Sequence, residues 1–247
     1  MPDLITLPPP PRVPGLGPIA DAALFLDFDG TLVEIAPRPD AVVVPEQLPP
    51  LLHRLTERLG GALAVVSGRA LAALDHFLPV PIPKAGDHGA SLRPDPFAPP
   101  LLPDFADVPP EWRAAAGTLV AQHPGALVED KAHGFVIHYR LAPGMGEAAR
   151  ELLAGFVAQN PQAFDLLEAR MAWELRPHGA SKATAVHALM TRAPFTGRTP
   201  VFIGDDVTDE EGMEAARSYG GQGWRLDDMF GTPQVLREWL AEAASGR

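Results

Sequence analysis

The 247-residue chain contains no cysteine. Disulfides, thiolate metal sites and cysteine nucleophiles are therefore excluded, and the composition fits the cytoplasm, where thiols stay reduced. Long apolar runs are also missing. None approaches the ~20 residues that a membrane-spanning helix needs, so no membrane partner is expected. Basic residues are in deficit: 20 Lys and Arg stand against 31 Asp and Glu, for a net charge of −11. Phosphate contacts dominate nucleic-acid affinity and call for a basic excess, so no nucleic-acid partner is expected. An anionic ligand would have to be met locally, by a metal, a helix N-terminus or a few bases. The opening "MPDLITLPPPPRVPGLG" lacks the basic and apolar regions of a signal peptide. With Pro8 to Pro11 unsuited to a helix interior, residues 1–20 read as an extended, Pro-rich lead-in.

What is present is ordinary globular material. Hydrophobic residues make up 46% of the chain and mean hydropathy is +0.01. The 29 prolines fall largely in clusters that mark connections rather than elements.

Three segments share one design, a short apolar run followed at once by small and polar residues. They are "ALFLDFDGT" (23–31), "ALAVVSGRA" (62–70) and "PVFIGDDVTDE" (200–210). Helical patterns lie between them. Leu48, Leu51, Leu52, Leu55 and Leu59 follow helical spacing, and Gly60-Gly61 form a stop. "ALAALDHFL" is a second short helix. "SKATAVHALM" is a third, with Ser181 as its N-cap. Continuous apolar strands alternating with helices predict a parallel sheet covered on both faces. Ligands bind such sheets beyond the carboxyl ends of the strands, so the three polar tips should converge on one crevice.

The middle differs. After the Pro-rich connector at 93–110, helix and hairpin alternate twice: "EWRAAAGTLVAQH", "ALVEDK" with "FVIHYR", "GEAARELLAGFVAQN", "AFDLLEA" with "MAWELRP". Phe135, Ile137 and Tyr139 alternate with Val136, His138 and Arg140. Met171, Trp173 and Leu175 alternate with Ala172, Glu174 and Arg176. Period two predicts a sheet with helices on one face and an open polar second face. The fold class is therefore α/β, a Rossmann-like doubly wound parallel-sheet core with an inserted α+β cap. The expected divisions are 21–108 for the first part of the core, 109–178 for the cap and 179–247 for the rest of the core.

Asp27 and Asp29 sit two apart at a strand end, and Asp205 and Asp206 follow another. Gathering these carboxylates without neutralisation is costly through repulsion and desolvation. A hard divalent cation with oxygen ligands resolves the conflict, and Mg²⁺ is the usual choice for a few carboxylates with phosphate. Ser67 lies between a strand and a helix, where backbone N–H groups favour an anion, although a serine there also suits a helix N-cap. Lys182 opens a helix against the sense of the dipole, so something must hold it there.

"DFDGTL" (27–32) resembles the nucleophile motif of the haloacid-dehalogenase superfamily. More narrowly, the chain resembles trehalose-phosphate phosphatases through "DFDGTL", "VVSGR", "GDHGA" (86–90), "VEDK" (128–131), "HYR" (138–140), "ELRP" with Lys182 after it, and "GDDVTDE" (204–210). The resemblance implies a Mg²⁺-dependent hydrolase that frees trehalose from trehalose 6-phosphate through an aspartyl-phosphate. It implies Asp27 as nucleophile and Asp29 as acid and base. Thr31, Ser67 and Lys182 would bind the phosphate. The metal set would be Asp27, Asp29 through its carbonyl, Asp205 and Asp206, with Asp209 as an alternative. Arg69, His88, Glu129, Lys131, His138, Arg140 and Glu174 would contact the sugar. The implied partners are a small sugar phosphate and, functionally, a trehalose-phosphate synthase, with the protein itself a monomer. A phosphatase for sucrose phosphate, mannosyl-phosphoglycerate or hexose phosphates is a rival, and "VEDK" with "HYR" favours the trehalose branch. A non-catalytic sugar-phosphate-binding domain is the other rival. The chain departs from the family pattern at Asp87, at Ser91 and at Ala183.

Overall fold

A computed structural model describes residues 21–101, 104–169 and 171–245. The lead-in expected over 1–20 lies outside them. The chain divides into two units. The first comprises the described residues up to Gly89, then Arg93–Pro100, then Ser181 onward; the second comprises Ala90–Leu92 and Leu101–Ala180.

The six-stranded sheet runs β10-β9-β1-β2-β3-β4. Its strands are β1 (Ala22–Leu26), β2 (Leu63–Val66), β3 (Lys84–Gly86), β4 (Ser91–Arg93), β9 (Thr199–Gly204) and β10 (Gln222–Arg225). β1 pairs in parallel with both β2 and β9, β2 with β3, and β9 with β10. The chain thus builds outward from β1 to one side and later returns to build on the other. That reversal is a switch point, where strand ends diverge and leave room for a ligand.

Every residue of β1 is buried because both faces are covered. On one face Leu24 and Leu26 pack with Leu63, Val65, Val201 and Ile203. Three helices cover this side: α1 (Leu48–Arg58), α2 (Leu71–Phe77) and α8 (Pro233–Ser245). On the other face Phe25 stacks on Phe195 at 5.4 Å. There α6 (Asp209–Ser218) comes so close that a side chain at Gly212 would strike the Phe202 ring. α1 carries its prolines in the first turn, where no N–H partner is needed. It stops at Gly60 and Gly61, whose φ angles are 56° and 91°. α5 (Lys182–Met190) is capped as expected, with Ser181 Oγ accepting from Thr184 N at 3.1 Å. α7 (Leu226–Met229) is a single turn after β10.

The second unit holds the antiparallel sheet β5-β6-β8-β7. Its elements are α3 (Pro110–Ala121), β5 (Leu127–Asp130), β6 (Phe135–His138), α4 (Gly146–Gln159), β7 (Phe164–Ala169) and β8 (Ala172–Pro177). Phe135, Ile137 and Leu175 are fully buried against the helices. Trp112 of α3 stacks on Phe156 of α4 at 4.8 Å and meets Phe164 edge-on at 5.4 Å. Two local expectations are corrected. Met171 belongs to the turn before β8, with φ of 61°. The face expected to be open and polar carries Val136, Ala172 and Glu174, all buried. Leu92 and Leu101 of this unit exchange backbone hydrogen bonds of 3.0 and 2.6 Å.

Candidate active site

Asp27 follows β1, and its amide donates to Ile203 O of β9 at 2.9 Å. That bond continues the sheet one residue past the strand and fixes a buried carboxylate at the switch point. Asp27 Oδ1 accepts from Lys182 Nζ at 2.7 Å. The same ammonium donates to Asp209 Oδ1 at 2.6 Å. All three side chains are 5% exposed or less. Lys182 therefore opens α5 against the dipole because two buried carboxylates hold it there.

Asp209 begins α6 and turns back on the β9 loop. Its Oδ2 accepts from Asp205 N at 3.1 Å and from Asp206 N at 2.9 Å. Thr31 Oγ1 donates to Asp205 Oδ1 at 3.1 Å. Gly30 makes this approach possible. Its φ is 80°, and a Cβ there would overlap the Asp205 carboxylate.

Oxygens of Asp27, Asp205 and Asp209 lie within 4.8 Å of one another. Burial pushes the Asp27 carboxyl well above its ordinary range, Asp209 adds to the shift, and Lys182 offsets part of it. Asp205 is pushed up to about 6 by burial and by the charges of Asp209 and Asp206, against the Thr31 hydrogen bond. Burial alone would lower Lys182, but Asp27 and Asp209 more than reverse this, and it stays charged. One ammonium among three crowded carboxylates leaves negative charge uncompensated. An all-carboxylate oxygen donor set fits a hard divalent cation. Asp206 stands apart from the three-carboxylate group. It is exposed, and its side chain caps Val207 N.

Asp29 is half-buried and is gripped by Arg69. Arg69 Nε donates to Oδ2 at 2.6 Å and Nη2 to Oδ1 at 2.8 Å. The guanidinium also donates to Pro39 O at 2.8 Å and lies over the Phe28 and Phe77 rings. Ser67 is fully buried beyond β2 and accepts from Arg69 N at 3.2 Å. It does not cap α2, whose N-cap position is Ala70.

A trehalose-phosphatase family model matches residues 25–226. The chain belongs to that family. It is 40% identical to the trehalose-6-phosphate phosphatase of Escherichia coli (strain K12) over 223 residues, 89% of this chain and 81% of that protein. It is 39% identical to a probable trehalose-phosphate phosphatase of Sinorhizobium fredii over 90% of this chain and 83% of the relative. The solved C-terminal domain of C. albicans trehalose-6-phosphate phosphatase has the same fold, with a TM-score of 0.74 at 18% identity over 92% of this chain and 94% of that one.

This trehalose-phosphatase family chain carries a second polar group, in the antiparallel sheet. Register sets Glu129 beside Val136 and Val136 beside Glu174, with His138 on the same face. Glu129 accepts from His138 Nε2 at 2.7 Å and from Lys131 Nζ at 2.8 Å. Burial would raise the Glu129 carboxyl, but His138 and Lys131 together hold it down at about 2. Arg140 lies half-buried just past β6.

Sequence reasoning missed one residue and underrated another. Arg225, at the end of β10, donates to Asp205 O at 2.6 Å and Asp206 O at 3.3 Å, and to Glu210 at 3.1 Å. Nothing in its local sequence marks it. Asp209 could have been promoted, because a first-turn acid four residues after Asp205 can reach back over the loop.

Proposed function

We propose that this protein hydrolyses trehalose 6-phosphate to trehalose and phosphate. The observation that carries the reading is the buried group of Asp27, Lys182, Asp205 and Asp209 at the switch point. Mg²⁺ held by Asp27, Asp205, Asp209 and the Asp29 carbonyl would supply charge neutralisation for the phosphoryl oxygens. Asp27 attacks phosphorus with a carboxylate oxygen, and the bond from phosphorus to the sugar oxygen breaks. Asp29 gives that oxygen its proton. Asp29 then takes a proton from water, the water oxygen attacks phosphorus, and the bond to Asp27 breaks. For this, one Asp29 oxygen must leave Arg69. Lys182 keeps Asp27 in place and balances the charge that gathers on phosphorus. Thr31 acts through its hydrogen bond to Asp205, and Ser67 binds an oxygen of the phosphoryl group.

We assign recognition of the sugar to the cap face bearing Glu129, Lys131, His138, Arg140 and Glu174. Sugar hydroxyls each offer a donor and acceptors, and a carboxylate held by a His and a Lys is a rigid acceptor for them. Among the described residues no helix is long and apolar enough to cross a membrane. We place the protein in the cytoplasm, as a monomer that takes its substrate from a sugar-phosphate synthase.

The test is phosphate release with Mg²⁺ across trehalose 6-phosphate, sucrose 6-phosphate, glucose 6-phosphate and mannosyl-phosphoglycerate, with an EDTA control. A strong, EDTA-sensitive preference for trehalose 6-phosphate is expected. Preferred turnover of another ester would overturn the substrate, and no turnover of any would overturn the enzyme.

A further inference from the structure

Between β3 and β4 the chain makes a buried turn, Asp87–His88–Gly89. Asp87 and His88 both have φ of 51°, and Gly89 has φ of 94°. Two consecutive non-glycine residues in the left-handed region are unusual, because Cβ crowds the following carbonyl oxygen. Asp and His are among the side chains that tolerate it best. Such backbone persists only where its surroundings over-determine it.

The surroundings are three chemistry-bearing segments. His88 N donates to Ser67 O at 3.1 Å, and Asp87 N donates to Arg69 O at 2.9 Å. The His88 ring lies flush against Gly68, where a Cβ would come within 2.5 Å of Nε2. On the far side Gly89 abuts the residue before Lys182, and a Cβ there would overlap Ser181 O. One turn thus touches the Ser67 loop, the backbone of the arginine that grips Asp29, and the start of the helix that carries Lys182. A right-handed turn would redirect the chain beyond each of these residues, so the two bonds to residues 67–69 and the approach of Gly89 to Ser181 would not be made together.

We propose that the Asp87–His88–Gly89 turn is the positioning element of the phosphoryl site, and that His88 acts through its left-handed backbone rather than as a sugar contact. The turn sets the spacing between Ser67 and Lys182, two of the groups assigned to the transferring phosphate. It also explains Asp87, the departure from the family pattern: an aspartate suits this φ better than an apolar residue does. The proposal rests on the phosphatase reading and deepens it.

The test is a series at His88, to Asn, Gly, Ala and Val. It is read as kcat/KM on trehalose 6-phosphate and on p-nitrophenyl phosphate, as the inhibition constant of inorganic phosphate, and as Tm. Asn and Gly accept φ > 0, so both should stay within about threefold of the parent enzyme on both substrates. Ala should fall further. Val should lose at least about tenfold on both esters, with weaker phosphate inhibition, because a β-branched residue resists this conformation. A uniform loss across all four, confined to trehalose 6-phosphate, would mean that the imidazole reads the sugar and would overturn the proposal. If Val fails to fold, a second pair decides. Gly68→Ala should weaken phosphate inhibition by pushing on the ring, and adding His88→Gly should restore part of it. A double variant no better than Gly68→Ala would overturn the proposal. An inactive parent enzyme would instead fail the phosphatase reading, so the two failures are distinguishable.

Discussion

Lys182 and Asp27 lie 155 residues apart in sequence and 2.7 Å apart in space, both almost wholly buried. The ammonium is shared with Asp209 at 2.6 Å. Removing one partner of such a group leaves charge buried without compensation, at a cost of about 3–5 kcal/mol. Lys182→Met should therefore lower Tm sharply and abolish turnover. Asp27→Asn keeps the shape and leaves Lys182 its bond to Asp209. It should fold, hold Tm within a few degrees and release no phosphate. Calorimetry with a phosphate assay separates the two outcomes. Full turnover by the Asn variant would remove Asp27 from the reaction.

Asp205 makes metal stabilisation depend on pH. Its carboxyl sits at about 6 against an ordinary 3.8. The metal-free folded protein thus keeps a proton that the unfolded chain gives up. Its stability falls as pH rises from about 4 to about 6 and is level above that. A divalent cation takes the place of that proton. The rise in Tm caused by Mg²⁺ should therefore be larger at about pH 7.5 than at about pH 5. An equal rise at both values would show that Asp205 does not hold the metal.

Glu129 behaves in the opposite sense. Its carboxyl is held at about 2 against an ordinary 4.5. It stabilises the fold above the ordinary value, and that contribution is lost as pH falls from 4.5 toward about 2. Glu129→Gln should flatten the acid dependence of Tm in that window. Glu129→Ala and Lys131→Ala should each cost trehalose 6-phosphate turnover at least about tenfold more than p-nitrophenyl phosphate turnover, as expected where buried polar partners read a hydroxyl. Equal losses on both esters would show that this face does not read the sugar.

Some of this was legible in the sequence, and for identifiable reasons. Leu24 to Leu26 followed by Asp27 announces a buried strand ending at a site, because only strands covered on both faces are continuously apolar. The alternation of Phe135 and Ile137 with Val136 and His138 gives the cap sheet its two faces. Asp206 and Asp209 were harder to rank. Adjacency to Asp205 favours Asp206, but the loop turns that side chain outward onto Val207 N, and the start of α6 turns Asp209 inward. The grip of Arg69 on Asp29 spans 40 residues, and its partner depends on where α2 and the loop after β1 come to rest. Periodicity carries no information about such pairings. The left-handed turn at Asp87 and His88 showed in the sequence only through Asp87, a departure from a family pattern, since φ is not written in residue type alone.

Arg225 is the residue least marked by the sequence and the most open to test. Its guanidinium donates to the carbonyls of Asp205 and Asp206 and pairs with Glu210. It holds the loop by its backbone and leaves the Asp205 carboxylate in the three-carboxylate group. A lysine could keep the charge, but it cannot reproduce a planar fork that reaches two carbonyls and a carboxylate together. Arg225→Lys should therefore bind Mg²⁺ or Mn²⁺ about tenfold more weakly by titration calorimetry, with a Tm close to the parent's in the metal-free state. kcat at saturating metal should recover most of the parent value, because the variant loosens the loop without removing a carboxylate. If Arg225 mattered only to folding, metal-free Tm would fall and metal affinity would not. If it served only as a positive charge near the acids, the lysine would leave metal affinity unchanged. The two readouts together assign the role to geometry, to stability or to charge.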